Sequence, residues 1–175
     1  MKRPMTPRGY DALRSELMKL RSMRPELAKA IEIARGHGDL SENGDYDAAK
    51  AKSGMTEARI RDIESKLTVA EIIDPRRLPE PTRIVFGCTT KISEMESGEE
   101  RTISIVGADE SNVDQGWISC ESPLGKALIG KECGDIAKVQ LPAGTKEYEV
   151  LEIFIDFTYE PAGNLSDDGV DNIAK

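Results

Sequence analysis

The chain has 175 residues, enough for one ordinary domain or two small ones, and a formal net charge of −8. Such an acidic chain is a poor general coater of nucleic acid, because that affinity comes from Lys and Arg neutralising phosphates. Any contact with nucleic acid is therefore expected to be local and guided by a partner.

The charge is distributed unevenly: residues 1–74 carry a net charge of +1 and residues 75–175 a net charge of −9. This shift predicts two domains. The cysteines Cys88, Cys120 and Cys133 form no C-x-x-C pair, so we interpret them as reduced thiols. The sequence shows neither a signal-peptide pattern nor an apolar run near ~18 residues, so we expect a cytoplasmic protein without a membrane anchor.

Two long helical patterns occupy residues 1–74. Thr6 and Pro7 predict the start of the first helix, Pro25 predicts a bend or break, and Gly36 and Gly38 predict its end in a left-handed conformation. The second helix is expected to start near Ser41 or Glu42. Both carry apolar or small residues at steps of three and four, which predicts coiled-coil seams. The short turn between the helices predicts an antiparallel hairpin, on the order of 40 Å long. These seams are Tyr10, Leu13, Leu17, Leu20, Leu27, Ile31 and Ala34, then Tyr46, Ala49, Ser53, Thr56, Ile60, Ile63, Leu67 and Ala70.

A proline-rich linker is predicted at residues 75–82, followed by a small antiparallel sheet with one helix at residues 83–157, so the fold class is α+β. The short helix is predicted to begin with Ser122 as its cap and Pro123 as its first residue. The expected strands are 84–94, 101–106, 117–121, 136–141 and 147–157. Residues 158–175 are interpreted as an acidic disordered tail.

The turn between the two long helices concentrates candidate functional residues. Asp39 and Glu42 are spaced so that their carboxylates could hold a divalent cation together. The same D-x-x-E spacing is also typical of a capping box that satisfies free N–H groups at a helix start. A hairpin of this kind, taken without its turn, could equally be a dimerisation device or a spacer.

Two sequence motifs carry a resemblance to a known family. The first is Ala34–Asn43 (A-R-G-H-G-D-L-S-E-N) with Tyr46 and Ala48–Lys50, and the second is Ser122–Lys131 (S-P-L-G-K-A-L-I-G-K) with Gly134 and Asp135. With a hairpin followed by a small mixed domain, the sequence resembles bacterial transcript cleavage factors of the Gre family, GreA type, over residues ~5–157. Two departures from the family pattern are Gly44, where Ala is common, and Asp45, where Glu is common.

The resemblance implies a function in transcription elongation. The hairpin would enter the secondary channel of RNA polymerase, and the second domain, similar in fold to FK506-binding proteins, would dock at the channel rim. The factor would stimulate the polymerase's own cleavage of backtracked nascent RNA and would not itself be an enzyme. A channel-binding regulator that inhibits cleavage is the main alternative; a peptidyl-prolyl isomerase and a free-standing nuclease are weaker ones.

The resemblance also implies roles for individual residues. Asp39 and Glu42 would be the acidic pair, holding a Mg²⁺ shared with the polymerase that two carboxylates alone bind weakly. Ser122 and Pro123 would belong to the rim-contacting segment. In this family a basic patch on the hairpin contacts the displaced nascent RNA 3′ segment, and the residues that could do so here are Arg35, Lys50, Lys52, Arg59 and Arg61. Only Arg35 and Lys50 lie within the matched motif, and all five could equally be solvated charges on a coiled-coil surface. We expect a monomer.

Three neighbours of the acidic pair have two readings each. His37 could assist proton transfer or be a solvated turn residue. Ser41 could hydrogen-bond a metal-bound water or cap the second helix. Tyr46 lies on the seam, so its ring could pack there while its hydroxyl reaches the tip.

Overall fold

The computed structural model describes residues 2–38 and 43–156. Its elements fall into two compact units: Ala12–Val69, and the described parts of Met1–Asp11 and Ala70–Lys175 together. Each unit has its own set of buried apolar side chains. The predicted α+β class, a helical hairpin followed by a sheet domain, is confirmed.

Three helices build the N-terminal half: α1 (Pro7–Ser22), α2 (Arg24–Arg35) and α3 (Gly44–Thr68). The helix break between α1 and α2 falls at Met23, and Pro25 lies in the first turn of α2. Pro is tolerated there because a first-turn N–H has no intrahelical partner, whereas inside a helix it removes a hydrogen bond. The predicted interruption at Pro25 is confirmed.

The predicted seams supply the buried side chains of the hairpin unit: Leu13, Leu17, Leu27, Ala34, Thr56, Ile60 and Ile63. Ion pairs flank the seam, from Arg24 Nε to Glu57 Oε1 at 2.7 Å and from Arg21 Nη2 to Glu64 Oε1 at 2.7 Å. Since the later residue of one helical arm pairs with the earlier residue of the other, the arms run antiparallel, as the short turn between them predicted.

The ends of the helices at the turn differ from the prediction. α3 begins at Gly44 with Asn43 as its N-cap, so the expected start at Ser41 or Glu42 is wrong by two or three residues. Asn43 prevails because its short amide side chain accepts a hydrogen bond from Tyr46 N at 3.1 Å. At the end of α2, Gly36 is right-handed with φ −74°, and the left-handed conformation occurs only at Gly38, with φ +116°.

Two short strands that the sequence pattern did not predict join the ends of the hairpin sequence. β1 (Arg3–Met5) pairs in parallel with β2 (Ala70–Ile72). Three-residue strands, one of them containing Pro4, carry too little period-2 signal to be recognised. Residues 2–11 and 70–74 belong to the same compact unit as the five-stranded sheet, whereas the predicted divisions lie at residues 74 and 82.

The second unit contains a five-stranded sheet in the order β5-β4-β3-β7-β6, with α4 (Pro123–Leu128) between β5 and β6 in sequence. Its strands are β3 (Thr89–Glu94), β4 (Glu100–Val106), β5 (Trp117–Ser119), β6 (Ile136–Leu141) and β7 (Gly144–Phe154). The core combines alternate strand residues with α4, including Ile92, Ile103, Ile105, Leu128 and Val150. The helix thus covers one part of the sheet and is held by it.

Two details of the predicted sheet are corrected. The sheet is not wholly antiparallel, since β4 and β5 run parallel, with 3₁₀ turns at Ala108–Glu110 and Val113–Gln115 in the connection between them. The first strand starts at Thr89 and not at Ile84, although Ile84 is fully buried. The predicted strand was too long at its start because Ile84 is buried without being paired in the sheet, and an apolar pattern reports burial and not pairing.

No helix within residues 2–38 and 43–156 is long and apolar enough to span a membrane. The tail at 158–175 lies outside the described residues.

Candidate functional site

The turn joining α2 to α3 carries the predicted acidic site. Asp39, Ser41 and Glu42 lie outside the described residues, so the structure shows the frame around them. That frame consists of the last turn of α2, with Arg35, and the first two turns of α3, with Tyr46 and Lys50.

Asn43 ties the two ends of this turn together. Its side-chain Nδ2 donates to the carbonyl oxygen of Ala34, and its Oδ1 accepts from Tyr46 N at 3.1 Å. The Asn43 carbonyl also accepts from Asp47 N at 3.1 Å. One residue therefore adds a second hydrogen bond to the Ala34 carbonyl of α2, which also accepts from His37 N. It also satisfies a free N–H at the start of α3, a group that a helix cannot pair internally.

Tyr46 stands between two cations at the base of the turn. The guanidinium carbon of Arg35 lies 5.8 Å from the Tyr46 ring centroid, and Lys50 Nζ lies 5.5 Å from it. The ring is half-buried, as its seam position predicted. Arg35 and Lys50, from opposite arms of the hairpin, thus form with Tyr46 a basic-aromatic cluster of the kind that contacts nucleic-acid phosphates and bases.

The cluster changes the acidity of the phenol. The pKa of Tyr46 is lowered from its ordinary value, first by a hydrogen bond with Arg35 and further by the positive charges of Lys50 and Arg35, while desolvation opposes the shift. The cations favour the charged phenolate, and this is the direction expected for opposite charges.

His37 faces the start of α3. Its Nδ1 lies 3.8 Å from Asp45 Oδ2, and both side chains are more than half exposed. The two form an ion pair only when the imidazole is protonated. Asp45 and Asp47 occupy the first turn of α3, where negative side chains interact favourably with the helix dipole.

Three further basic residues of the predicted patch, Arg59, Lys52 and Arg61, differ in whether an ion pair with another described residue holds their side chains. Arg59 is held by Glu16 through two hydrogen bonds of 2.8 and 2.9 Å and by Asp62 at 2.8 Å. The pKa of Glu16 is lowered chiefly by its hydrogen bond from Arg59. Arg59 therefore stabilises the hairpin, while Lys52 and Arg61 are exposed on α3.

The second predicted surface begins with Ser122. Its hydroxyl donates to the carbonyl of Ser119 at 2.6 Å and accepts from Gly125 N at 3.1 Å, which makes it the N-cap of α4, as predicted. Pro123 follows at the first helical position and is exposed. A side chain at Gly125 would collide with the Ser119 carbonyl, so α4 lies close against the end of β5.

The described residues alone contain no group of three or more His, Cys, Asp or Glu side chains that could hold a metal ion. The roles assigned to Asp39, Glu42 and Mg²⁺ therefore stay predictions.

The sequence reasoning gave no role to Asn43, although Asn is among the preferred N-cap residues, and that preference was the available signal. It also gave none to a network at the start of α1, where Glu110 accepts from Thr6 N at 2.8 Å and from Gly107 N at 3.1 Å. There the Arg8 guanidinium also stacks 3.5 Å from the centroid of Trp117. The contacts of Thr6 with Glu110 and of Arg8 with Trp117 link residues about 100 positions apart, which no local pattern reveals.

Comparisons with known proteins agree with the motifs. Residues 3–72 match the model of the transcription elongation factor N-terminal domain, and residues 79–154 match that of the GreA/GreB C-terminal domain. Transcription elongation factor GreA of Methylococcus capsulatus is 49% identical over 153 residues, covering 87% of this chain and 97% of that protein. GreA of Neisseria meningitidis is 48% identical over 151 residues, covering 86% of this chain and 96% of that protein.

Among solved structures, GreA factor homolog 1 of Thermus thermophilus is 30% identical, with coverage of 87% of this chain and 99% of that chain and a TM-score of 0.41. The two family models together match most of the sequence, and the GreA proteins are nearly half identical to it along almost their whole length. The chain belongs to the GreA/GreB family of transcription elongation factors.

Proposed function

We propose that this elongation factor stimulates RNA polymerase to cleave backtracked nascent RNA, with its hairpin inserted in the secondary channel and its tip at the active centre. The observation that carries the proposal is the position of Asp39 and Glu42 in the turn between α2 and α3 of a chain belonging to this family. The site of action is then the cytoplasm, where bacterial polymerase works.

The donor chemistry of the acidic pair fits Mg²⁺, which prefers carboxylate oxygens. Two carboxylates are fewer ligands than an octahedral ion requires, so the polymerase and the RNA would supply the others. Bound there, Mg²⁺ would supply Lewis-acid stabilisation of phosphoryl oxygens and a more acidic water.

The described residues of the frame support the same proposal. Arg35 and Lys50 place two positive charges beside the acidic turn, where they can neutralise phosphates of the displaced RNA 3′ segment. Tyr46, held between them, offers a ring face for an unpaired base. At the second surface, exposed Pro123 would contact the channel rim while Ser122 holds α4 in shape.

The test is cleavage in a stalled, backtracked polymerase complex with Mg²⁺. The factor is expected to shorten the RNA from its 3′ end, and Asp39→Asn or Glu42→Gln to lower the rate at saturating factor by about a hundredfold or more, as loss of a transition-state ligand does. Asp47→Asn is the matched control, since it removes an exposed carboxylate of α3 outside the acidic pair.

Three outcomes would contradict the proposal. Full activity of both tip variants would remove the acidic pair from the mechanism. Slower cleavage in the presence of the unmodified factor would favour the inhibitory regulator. Cleavage of RNA by the factor without polymerase would show that the factor is itself a nuclease.

A further inference from the structure

Asn43 lies where the turn meets α3, and its side chain makes one bond to each arm of the hairpin. The acceptor Oδ1 caps α3 through Tyr46 N, and the donor Nδ2 reaches back nine residues to the Ala34 carbonyl on α2. A serine, threonine or aspartate would supply the cap, but an amide side chain supplies an acceptor and an N–H donor together.

The Ala34 carbonyl is a specific anchor point. Ala34 is a buried seam residue, 4% exposed, and its carbonyl also accepts from His37 N at 3.1 Å. A carbonyl oxygen has two lone pairs, so it can accept both bonds. The bond from Asn43 is thus made to a part of α2 that packing already holds in place.

These contacts hold Ala34 and Asn43, the residues on either side of the acidic turn in the sequence, next to each other. The chain leaves the packed part of α2 at Ala34 and re-enters a helix after Asn43, and the Nδ2 bond joins these points directly. Asp39 and Glu42 both lie between them in the sequence.

We propose that Asn43 is a positioning residue for transcript cleavage, which acts by closing the base of the turn that carries Asp39 and Glu42. This inference rests on the proposed function. Its physical reason is that catalytic groups misplaced by about 1 Å can lose on the order of a hundredfold in rate even when binding is unchanged.

The test separates the two bonds of Asn43. Asn43→Ser and Asn43→Asp keep an N-cap acceptor for Tyr46 N but cannot also donate an amide N–H to Ala34. Agreement between the neutral and the charged variant shows that the lost donor, and not an added charge, causes the effect. Asn112→Ser is the matched control, because Asn112 caps another helical turn by accepting from Asp114 N.

Cleavage is measured against factor concentration in the backtracked complex. Both Asn43 variants are expected to lower the maximal rate by about tenfold to a hundredfold. The factor concentration that gives half-maximal cleavage is expected to stay within about twofold of the unmodified value. The helix content is expected to stay near that of the unmodified factor, since the cap of α3 remains. Asn112→Ser should leave the maximal rate unchanged.

A maximal rate within twofold of the unmodified factor for both Asn43 variants would overturn the proposal and leave Asn43 as a helix cap. An equal rise in half-maximal concentration with an unchanged maximal rate would also overturn it, because the residue would then serve binding.

A measurement without polymerase keeps this inference separable from the proposed function. Amide exchange at the end of α2, at Gly36 and His37, is expected to be at least about fivefold faster in Asn43→Ser, because the bond closing the turn is absent. The proposed function fails if the unmodified factor stimulates no cleavage. Independently of that result, amide exchange that is the same in Asn43→Ser and in the unmodified factor would show that Asn43 does not close the turn.

Discussion

The pKa of the Tyr46 phenol depends on which side chains lie beside it at the base of the acidic turn. Arg35 on α2 and Lys50 on α3 both face Tyr46, and each lowers the pKa of Tyr46 by its charge and by a hydrogen bond, with the hydrogen bond from Arg35 as the largest cause. The charged form is favoured wherever cations surround an acid. The ionisation of Tyr46 is therefore sensitive to both arms of the hairpin.

Replacing Arg35 by Met is expected to raise the pKa of Tyr46 toward its ordinary value of about 10, and Lys50→Met to raise it less. The reason is that the hydrogen bond with Arg35 is the largest cause of the lowered pKa, ahead of the charge of Lys50. The measurement is a pH titration followed by NMR of ¹³C-labelled tyrosine, with assignment by a Tyr46→Phe variant. A Tyr46 pKa that neither substitution raises would contradict the arrangement.

At the same scale, the spacing of Asp39 and Glu42 was readable in the sequence, and the residue that closes their turn was not. The D-x-x-E pattern competed with Asn43 for the cap of α3, and Asn43 has the cap in the structure. The sequence offers several residues with good capping propensity in succession. Only the approach of Ala34 from the other arm gives Asn43 its second bond.

Among the elements, α4 shows why a cap and a contact surface must be tested separately. Ser122 is predicted to contact the polymerase, yet its hydroxyl is engaged with Ser119 and Gly125. A substitution such as Ser122→Glu would disturb α4 as well as any contact. The exposed Pro123, one residue further on, permits a cleaner test.

Pro123→Glu is expected to weaken polymerase binding by roughly tenfold or more, since a charge buried in an unsuitable contact costs several kcal/mol. It should leave stability within about 0.5 kcal/mol, because the position is exposed. Ser122→Ala should instead destabilise the protein by about 1 kcal/mol through loss of the cap. Binding is measured by titration against labelled polymerase and stability by denaturant unfolding.

Lys138→Glu, on the exposed face of β6, is the control for a charge change elsewhere on the same domain. Affinity that is equal for Pro123→Glu and the unmodified factor would remove this segment from the docking surface.

The length of an element and the regularity of its sequence pattern explain which elements could be predicted from the sequence. Helices α1 to α3 carry steps of three and four over several turns, and residues 137–141 of β6 alternate between apolar and polar types, so the local pattern was enough. The pairing of β1 with β2, and of β5 in parallel with β4, involves three-residue strands. A strand was predicted at 117–121, but its parallel pairing with β4 was not. Strands β1 and β2 were not predicted, because a distant partner supplies the hydrogen bonds of such short strands and their own sequence carries little signal.

For the whole molecule, the two compact units contain separate cores. Ile63 is fully buried within Ala12–Val69, and Ile92 is fully buried in the sheet of the other unit. A cavity in one core removes packing contacts only from its own neighbours. The consequences of a core substitution should therefore be confined to one unit.

Ile63→Ala is expected to cost about 2–5 kcal/mol, with the loss concentrated in the hairpin. Hydrogen exchange should show reduced protection in α3 and unchanged protection in β3 and β7, and Ile92→Ala should give the opposite pattern. Uniform loss of protection in both units from either substitution would show that the protein unfolds as one cooperative body.

The sequence by itself determined the helical hairpin, the sheet strands with regular alternation, the cap of α4 and the family. Each of these depends on residues close together in the chain, and the spacing of those residues predicts their structural role. Only the tertiary structure decided that Asn43 bonds to both arms, that Tyr46 lies between Arg35 and Lys50, and that Glu110 accepts from Thr6. These contacts join groups whose side chains have several possible partners, and the fold chooses among them by bringing one within hydrogen-bond distance.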